Sequence, residues 1–286
     1  MRQPTPRYAK DHTSTIDAQP TQPMQRVASA ARKVPEITIF FWIVKILTTG
    51  MGETTSDYLV RAINPYVAVT LGGVCFAAAL ALQLAARRYV AWVYWLAVVM
   101  VAIFGTMFAD VMHVGFGVFH IGLSTAYVIS TGIFGVALTL IILGWYTSEK
   151  TLSIHTITTR RRELFYWATV VTTFALGTAV GDMTATTLRL GYFASGLLFA
   201  ALFILPALGY WLLGLNDVLA FWAAYIVTRP LGASFADWLG RPQQYGGVGI
   251  GTGLISLILA AIIVIFVGYL TVTHRDTPTT SMRPPQ

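Results

Sequence analysis

The sequence predicts an all-α polytopic membrane protein, with eight transmembrane helices arranged as four parallel two-helix repeats around a pseudo-fourfold axis. Three observations lead there. Of 286 residues, 56% are hydrophobic and 11% charged, and the mean hydropathy is +0.66, a balance far from that of a water-soluble domain. Apolar runs of about 20 residues, long enough to cross a hydrocarbon core of ~30 Å, recur along the chain. One motif, Trp-x9-Gly-x4-Asp, occurs four times, at the start of every second run.

The runs fall at 39–60, 66–86, 91–111, 121–146, 163–188, 191–214, 219–239 and 248–272. Lipid offers backbone groups no partner and the runs are too long for barrel strands, so each is expected to be a helix. Residues 1–33 are polar, rich in Pro, Gln and Thr, and lack an apolar h-region. They are expected to form a disordered cytoplasmic tail rather than a signal peptide, and 273–286 a second one, flanking a transmembrane domain over 34–272. The single cysteine, Cys75, lies within an apolar run; it permits no intrachain disulfide and no thiolate metal cluster.

A net charge of +7 does not point to nucleic acid here, because the basic residues are sorted by loop. Arg2, Arg7, Lys10, Arg26, Arg32, Lys33, Arg87, Arg88, Lys150, Arg160 to Arg162, Arg275 and Arg283 fall in the termini and alternate loops; the other loops hold only Arg61, Arg189 and Arg241. The positive-inside rule then places both termini in the cytoplasm, with the protein in the inner membrane. His155 and Arg160 to Arg162 read as topology determinants in contact with anionic lipid. Lys45 and Arg229 are left inside the membrane.

The motif copies are Trp42/Gly52/Asp57, Trp95/Gly105/Asp110, Trp167/Gly177/Asp182 and Trp222/Gly232/Asp237, each preceded by an aromatic residue: Phe41, Tyr94, Tyr166 and Phe221. Each copy opens a two-helix hairpin, at about 39–88, 91–147, 163–215 and 219–272. An even number of spans per unit keeps successive units in one orientation, related by an axis along the membrane normal. With its opening stretch "VPEITIFFWIVKILTTGMGETTSD", the chain resembles a family of bacterial membrane proteins built from four tandem two-helix repeats of unknown function, each with a characteristic Trp. The resemblance covers residues 35–272 or so. It implies the architecture and brings no substrate.

Positions +3, +6, +7, +10, +11, +14 and +15 from each Trp share one helix face. In the first repeat that face carries Lys45, Thr48, Thr49, Gly52, Glu53, Ser56 and Asp57; Asp110, Asp182, Arg229 and Asp237 complete the membrane-embedded charges, all on the same stripe. Gly at +10 (Gly52, Gly105, Gly177, Gly232) with a small residue at +14 predicts close helix packing. Trp42, Trp95, Trp167 and Trp222 are expected as anchors at the membrane interface. Fifteen residues at 1.5 Å place each Asp ~22 Å beyond its Trp, and Glu53 near the midplane. Carboxylates facing lipid cost a few kcal/mol, so they should line a shared interior.

Carboxylates and hydroxyls are hard oxygen ligands. The expectation is a transporter of a divalent cation, with proton coupling as an option, using Lys45, Thr48, Thr49, Glu53, Asp57, Asp110, Asp182, Arg229 and Asp237, with Glu53 and the four Asp as metal ligands. The cation would be substrate; no cofactor is expected. His113 and His120 read as solvated loop residues, with metal ligation the lesser alternative. Two other readings stay open: an anion carrier using Lys45 and Arg229, and a non-transporting scaffold or sensor. No HExxH, GxSxG or P-loop occurs, so no enzyme is expected. The expected partners are the lipid bilayer and a small ion, and oligomeric state is left open.

Overall fold

The computed structural model describes residues 32–277. Its eight long helices are α1 (Ile39–Ala62), α2 (Pro65–Ala85), α3 (Ala91–Val118), α4 (Leu123–Glu149), α5 (Arg160–Asp182), α6 (Gly191–Leu213), α7 (Asp217–Gly240) and α8 (Thr252–Thr273). Short turns lie at Ile154–Thr156 and Gln243–Tyr245, a π turn (Met183–Thr187) extends α5, and no strand occurs among the described residues. Seven of the eight are long and apolar enough to cross a membrane. The exception is α1, whose Lys45, Glu53 and run of Thr and Gly dilute its apolar content. The protein is a multi-pass membrane protein.

Helix boundaries follow local chemistry. Thr38 and Thr159 cap α1 and α5 by accepting from the Phe41 and Arg162 backbone N–H groups, and Asn64 and Asn216 do the same for α2 and α7. Connections such as Ile63–Asn64 are too short for anything but antiparallel neighbours.

The four odd helices form a closed ring in which α1 packs on α3, α3 on α5, α5 on α7, and α7 back on α1. The even helices coat this ring, but each lies mainly against the odd helix of the following repeat. α2 covers α3, α4 covers α5, α6 covers α7, and α8 reaches back to α1. The hairpin is thus the covalent unit, while the packing unit straddles two repeats.

Two cyclic contacts show the fourfold relation. At one end, the aromatic residue preceding each Trp meets the Trp of the next repeat: Phe41 with Trp95 (centroids 5.7 Å), Tyr94 with Trp167 (5.8 Å), Tyr166 with Trp222 (6.2 Å) and Phe221 with Trp42 (5.7 Å). Trp95, Trp167 and Trp222 are buried and Trp42 half-buried. They are therefore not the lipid-interface anchors expected from the sequence: the neighbouring repeat's ring covers the face that would have met headgroups. Trp92 and Trp211 are the exposed ones.

In the middle of the ring, each +10 glycine receives the +7 residue of the next repeat. A Cβ added at Gly52 would lie 2.5 Å from that of Ala102, at Gly105 2.8 Å from that of Phe174, at Gly177 against the Arg229 stem, and at Gly232 against the Thr49 side chain. Only glycine allows helix axes this close.

Residues at both ends of the described chain brace the Trp end. The Tyr89 N–H donates to the Arg32 carbonyl (2.9 Å), the Glu36 N–H to that of Asp276 (2.9 Å), and buried Lys33 pairs with Glu163 (2.6 Å). The Tyr89 hydroxyl donates to the Asp276 carboxylate. Arg32, Lys33 and His274–Thr277, expected within the tails, are thus docked on the helices; the rest of the expected tails, 1–31 and 278–286, lies outside the described residues. Burial raises the Asp276 carboxyl above its ordinary value, opposed by the Tyr89 bond. Burial, and then the nearby Asp276 charge, raises the Tyr89 phenol.

Gly177→Ala and Gly232→Ala should each destabilise the detergent-solubilised protein by about 1–3 kcal/mol through overpacking. Gly268→Ala, where an added Cβ meets nothing within 4 Å, should not, as thermal unfolding will show. An Asp276 carboxyl whose folded value is raised contributes stability that is full below the ordinary carboxylate range and lost as pH rises through the folded value. Asp276→Asn should remove that fall, so stability relative to the parent should be higher at pH 7 than at pH 4.

Candidate functional site

The +11 positions of three repeats converge on one side chain from the fourth. Arg229, fully buried, donates through Nη2 to Glu53 Oε2 (2.7 Å), Thr178 Oγ1 (2.8 Å) and Thr106 Oγ1, and through Nη1 to the Thr49 carbonyl (3.0 Å). Glu53, Thr106 and Thr178 are the +11 residues of α1, α3 and α5, and Arg229 stands at +7 of α7. A single guanidinium therefore bolts all four ring helices together. A planar fork with several donors suits this task, as a lysine would not.

Toward the Trp end lies Lys45. It is 1% exposed, its Nζ finds no hydrogen-bond partner among the described residues, and it sits 4.0 Å from the centroids of both the Phe174 and Tyr225 rings. Cation–π contact from two rings stabilises an ammonium that has no anion beside it. Fully buried Phe174, Tyr225, Tyr94 and Phe41 close the ring here, and the Tyr94 and Tyr166 hydroxyls meet at 2.6 Å.

One turn beyond Glu53, the four Asp divide into two unlike pairs. Asp57 binds Arg61 (2.7 Å) and faces Arg241 (3.5 Å), and Asp237 pairs with Arg241 (2.8 Å). Burial works against the Arg241 charge, and the Asp237 and Asp57 carboxylates more than offset it, holding the guanidinium above its ordinary value. Asp110 and Asp182 pair with no arginine among the described residues. Between them stands His113, whose Nδ1 lies 3.8 Å from Asp110 Oδ1 and 3.7 Å from Asp182 Oδ2. The three ligand atoms all lie within 4.8 Å of one another. A groove of about 540 Å³ opens elsewhere, between α1, α3 and α8, and its apolar lining marks it as lipid-facing surface.

Of the charged stripe, Lys45, Glu53, Asp57, Arg229 and Asp237 are buried inside the ring, whereas Asp182 is partly covered and the Asp110 side chain is 36% exposed. Glu53, expected as a metal ligand, is paired with Arg229, and Asp57 and Asp237 with Arg61 and Arg241, so each of these carboxylates is already matched by a guanidinium. Thr48 and Thr49 were expected as transport ligands, but their hydroxyls donate to the carbonyls of Lys45 and Ile46 one turn back (2.8 and 2.6 Å). Of the expected metal ligands, Asp110 and Asp182 have no guanidinium beside them among the described residues. His113 is not a solvated loop residue: it lies inside α3, 4% exposed. His120 follows α3 with a positive φ of 58° and makes no contact with the cluster. Sequence reasoning passed over Thr106, Thr178 and Arg241. Their signals were a hydroxyl at +11 in the two middle repeats and an arginine four residues after the Asp in the first and last.

Removing Arg229 leaves Glu53 buried without its partner. Arg229→Met should destabilise the protein by about 3–5 kcal/mol in detergent, with the double change Arg229→Met/Glu53→Leu recovering much of the loss. Thermal unfolding of the double-mutant cycle measures both.

Comparison with curated proteins and with solved structures returned no match. A model of the family described as a Repeat of Unknown Function (DUF347) matches residues 40–89, 93–151, 165–214 and 220–276. Each matched segment holds one Trp-bearing ring helix and the helix that follows it. The chain belongs to this family of tandem repeats.

Proposed function

We propose that this protein is a transporter that carries a divalent cation across the membrane through the interior of the four-helix ring. The supporting observation is the uneven charge balance at the Asp level. Glu53, Asp57 and Asp237 are each matched by a guanidinium, whereas Asp110 and Asp182 face no basic side chain except His113 among the described residues. Carboxylates without a guanidinium partner on membrane-spanning helices are costly when covered and mark ion pathways; the Asp182 side chain is 13% exposed and that of Asp110 36%. In this reading the unmatched pair captures the ion, and the Arg229 bolt closes the path beneath it.

Passage would require Glu53 and Arg229 to separate, with Thr106 and Thr178 retaining the guanidinium while Glu53 meets the ion. Lys45, with no anion beside it, is placed to exchange a proton as the cation passes. The positive-inside pattern supports cytoplasmic termini, an inner-membrane location and an Asp level facing outward. The reading assigns no catalysis. An anion carrier is less well supported, since both Arg229 Nη groups already donate to the ring.

Proteoliposomes containing the purified protein should take up a divalent cation, and Asp110→Asn/Asp182→Asn should lower that flux at least about tenfold while the protein remains folded in the bilayer. Flux unchanged in the double variant, or none for any divalent cation with the parent protein, overturns the reading.

A further inference from the structure

His113 is 4% exposed and stands between two carboxyl groups, its Nδ1 3.8 Å from Asp110 Oδ1 and 3.7 Å from Asp182 Oδ2. Its Nε2 shares a 2.8 Å hydrogen bond with Ser130 Oγ, which also lies 3.2 Å from the Tyr127 carbonyl. In the tautomer in which the hydroxyl gives its one proton to that carbonyl and accepts from Nε2–H, the Nδ1 lone pair faces the two carboxyl groups. Tyr127, at 4.7 Å and perpendicular to the imidazole, walls the ring's flank.

The repeats offer an independent argument. In the first and fourth, the residue four beyond the Asp is Arg61 or Arg241, and a guanidinium neutralises the Asp level there. In the second and third the same position holds Val114 or Thr186, and His113 appears instead, one residue earlier than Val114. Where the first and fourth repeats supply a built-in cation, the second supplies a nitrogen ligand and the third only its Asp.

We infer that Asp110, His113 and Asp182 form a three-ligand site, one imidazole nitrogen and two carboxylate oxygens, for a borderline divalent transition cation of the Zn²⁺ and Co²⁺ class. Imidazole favours such ions over Mg²⁺ and Ca²⁺, which take oxygen. Metal–ligand bonds of about 2.0–2.2 Å need ligand atoms roughly 3–3.5 Å apart, so the two His113–carboxylate distances must shorten by on the order of half an ångström and the carboxylate pair, within 4.8 Å, by up to about 1.5 Å. Asp110 and His113 share one face of α3, three residues apart. Asp182 ends α5 where it widens into the π turn, a device that recurs at functional sites. The Ser130 hydroxyl bonded to Nε2 is the outer partner that metal-binding histidines use for orientation. The inference deepens the transport reading, on which it rests as a statement about substrate class.

Full-length protein in detergent should bind one Co²⁺, seen in its visible absorption and by equilibrium dialysis, displaced by Zn²⁺ but not by a hundredfold excess of Mg²⁺ or Ca²⁺. X-ray absorption of the Zn²⁺-loaded parent protein should show one imidazole among oxygen ligands, a readout that needs no variant. His113→Gln and Asp182→Asn should each weaken Co²⁺ binding at least about tenfold and Ser130→Ala by roughly tenfold, while Asp57→Asn and Asp237→Asn leave it within about threefold. An all-oxygen shell, no stoichiometric binding, or His113→Gln binding like the parent overturns the site, and the His113 Nδ1–H then bridges the carboxyl groups instead. Binding is read without flux. Metal bound as described in a protein that transports nothing keeps the site and removes the transport reading, whereas cation flux that survives His113→Gln keeps transport and removes the site.

Discussion

Everything inside this protein depends on how closely the four ring helices approach one another. Helices in lipid gain little from hydrophobic burial against each other, so association rests on contact and on polar bonds made inside. Here the contact is one interaction repeated four times, a +10 glycine taking the +7 side chain of the next helix. Because the fourth glycine takes the first repeat's Thr49, the series closes into a ring. The aromatic collar obeys the same cyclic rule about two helical turns nearer the Trp end. An outer helix laid across each seam then resists its opening.

That slot also explains how a charge comes to lie on the axis. Ala102, Phe174, Thr49 and Arg229 occupy equivalent +7 positions. Ala102 and Thr49 fill the slot against the neighbouring glycine, Phe174 continues from it with its ring over Lys45, and the fourth carries a stem through it and delivers a guanidinium to the centre. Bare of side chain, Gly177 lets the Arg229 stem pass flat against α5. The +11 residues of the other three helices, all one turn farther along, then meet it with a carboxylate and two hydroxyls. Stability and charge placement are therefore one problem in this fold. A residue that opened the seam would also strand Glu53 in a dry interior.

Much of this architecture is legible in the sequence, because a repeat multiplies weak signals. Four copies of one spacing identify the ring helices, their common direction and the face they turn inward. The fate of the tryptophans was not legible. Trp42, Trp95, Trp167 and Trp222 have the composition of a lipid-interface belt, and only the cyclic offset, each aromatic meeting the next repeat's Trp, turns them into a collar. The even helices mislead for a related reason. Chain connectivity suggests a compact hairpin, whereas α2 finds its larger partner in α3 and α8 in α1. The docked ends were hidden too: Lys33 and Asp276 sit in polar sequence, and their burial comes from Glu163 and Tyr89, far away in the chain.

At the Asp level the repeat gives its clearest signal and its most misleading one. Four Asp in register imply a symmetric ring of carboxylates, yet symmetry is broken by the residues just beyond them. Arg61 and Arg241 lie one turn past their own Asp, and Arg241 also reaches the neighbouring one, so a single guanidinium faces both Asp57 and Asp237. The opposite side holds two carboxylates and an imidazole oriented by Ser130. A fourfold scaffold has thereby become a two-sided one, with one half matched by guanidinium groups and the other holding an imidazole between two carboxyl groups.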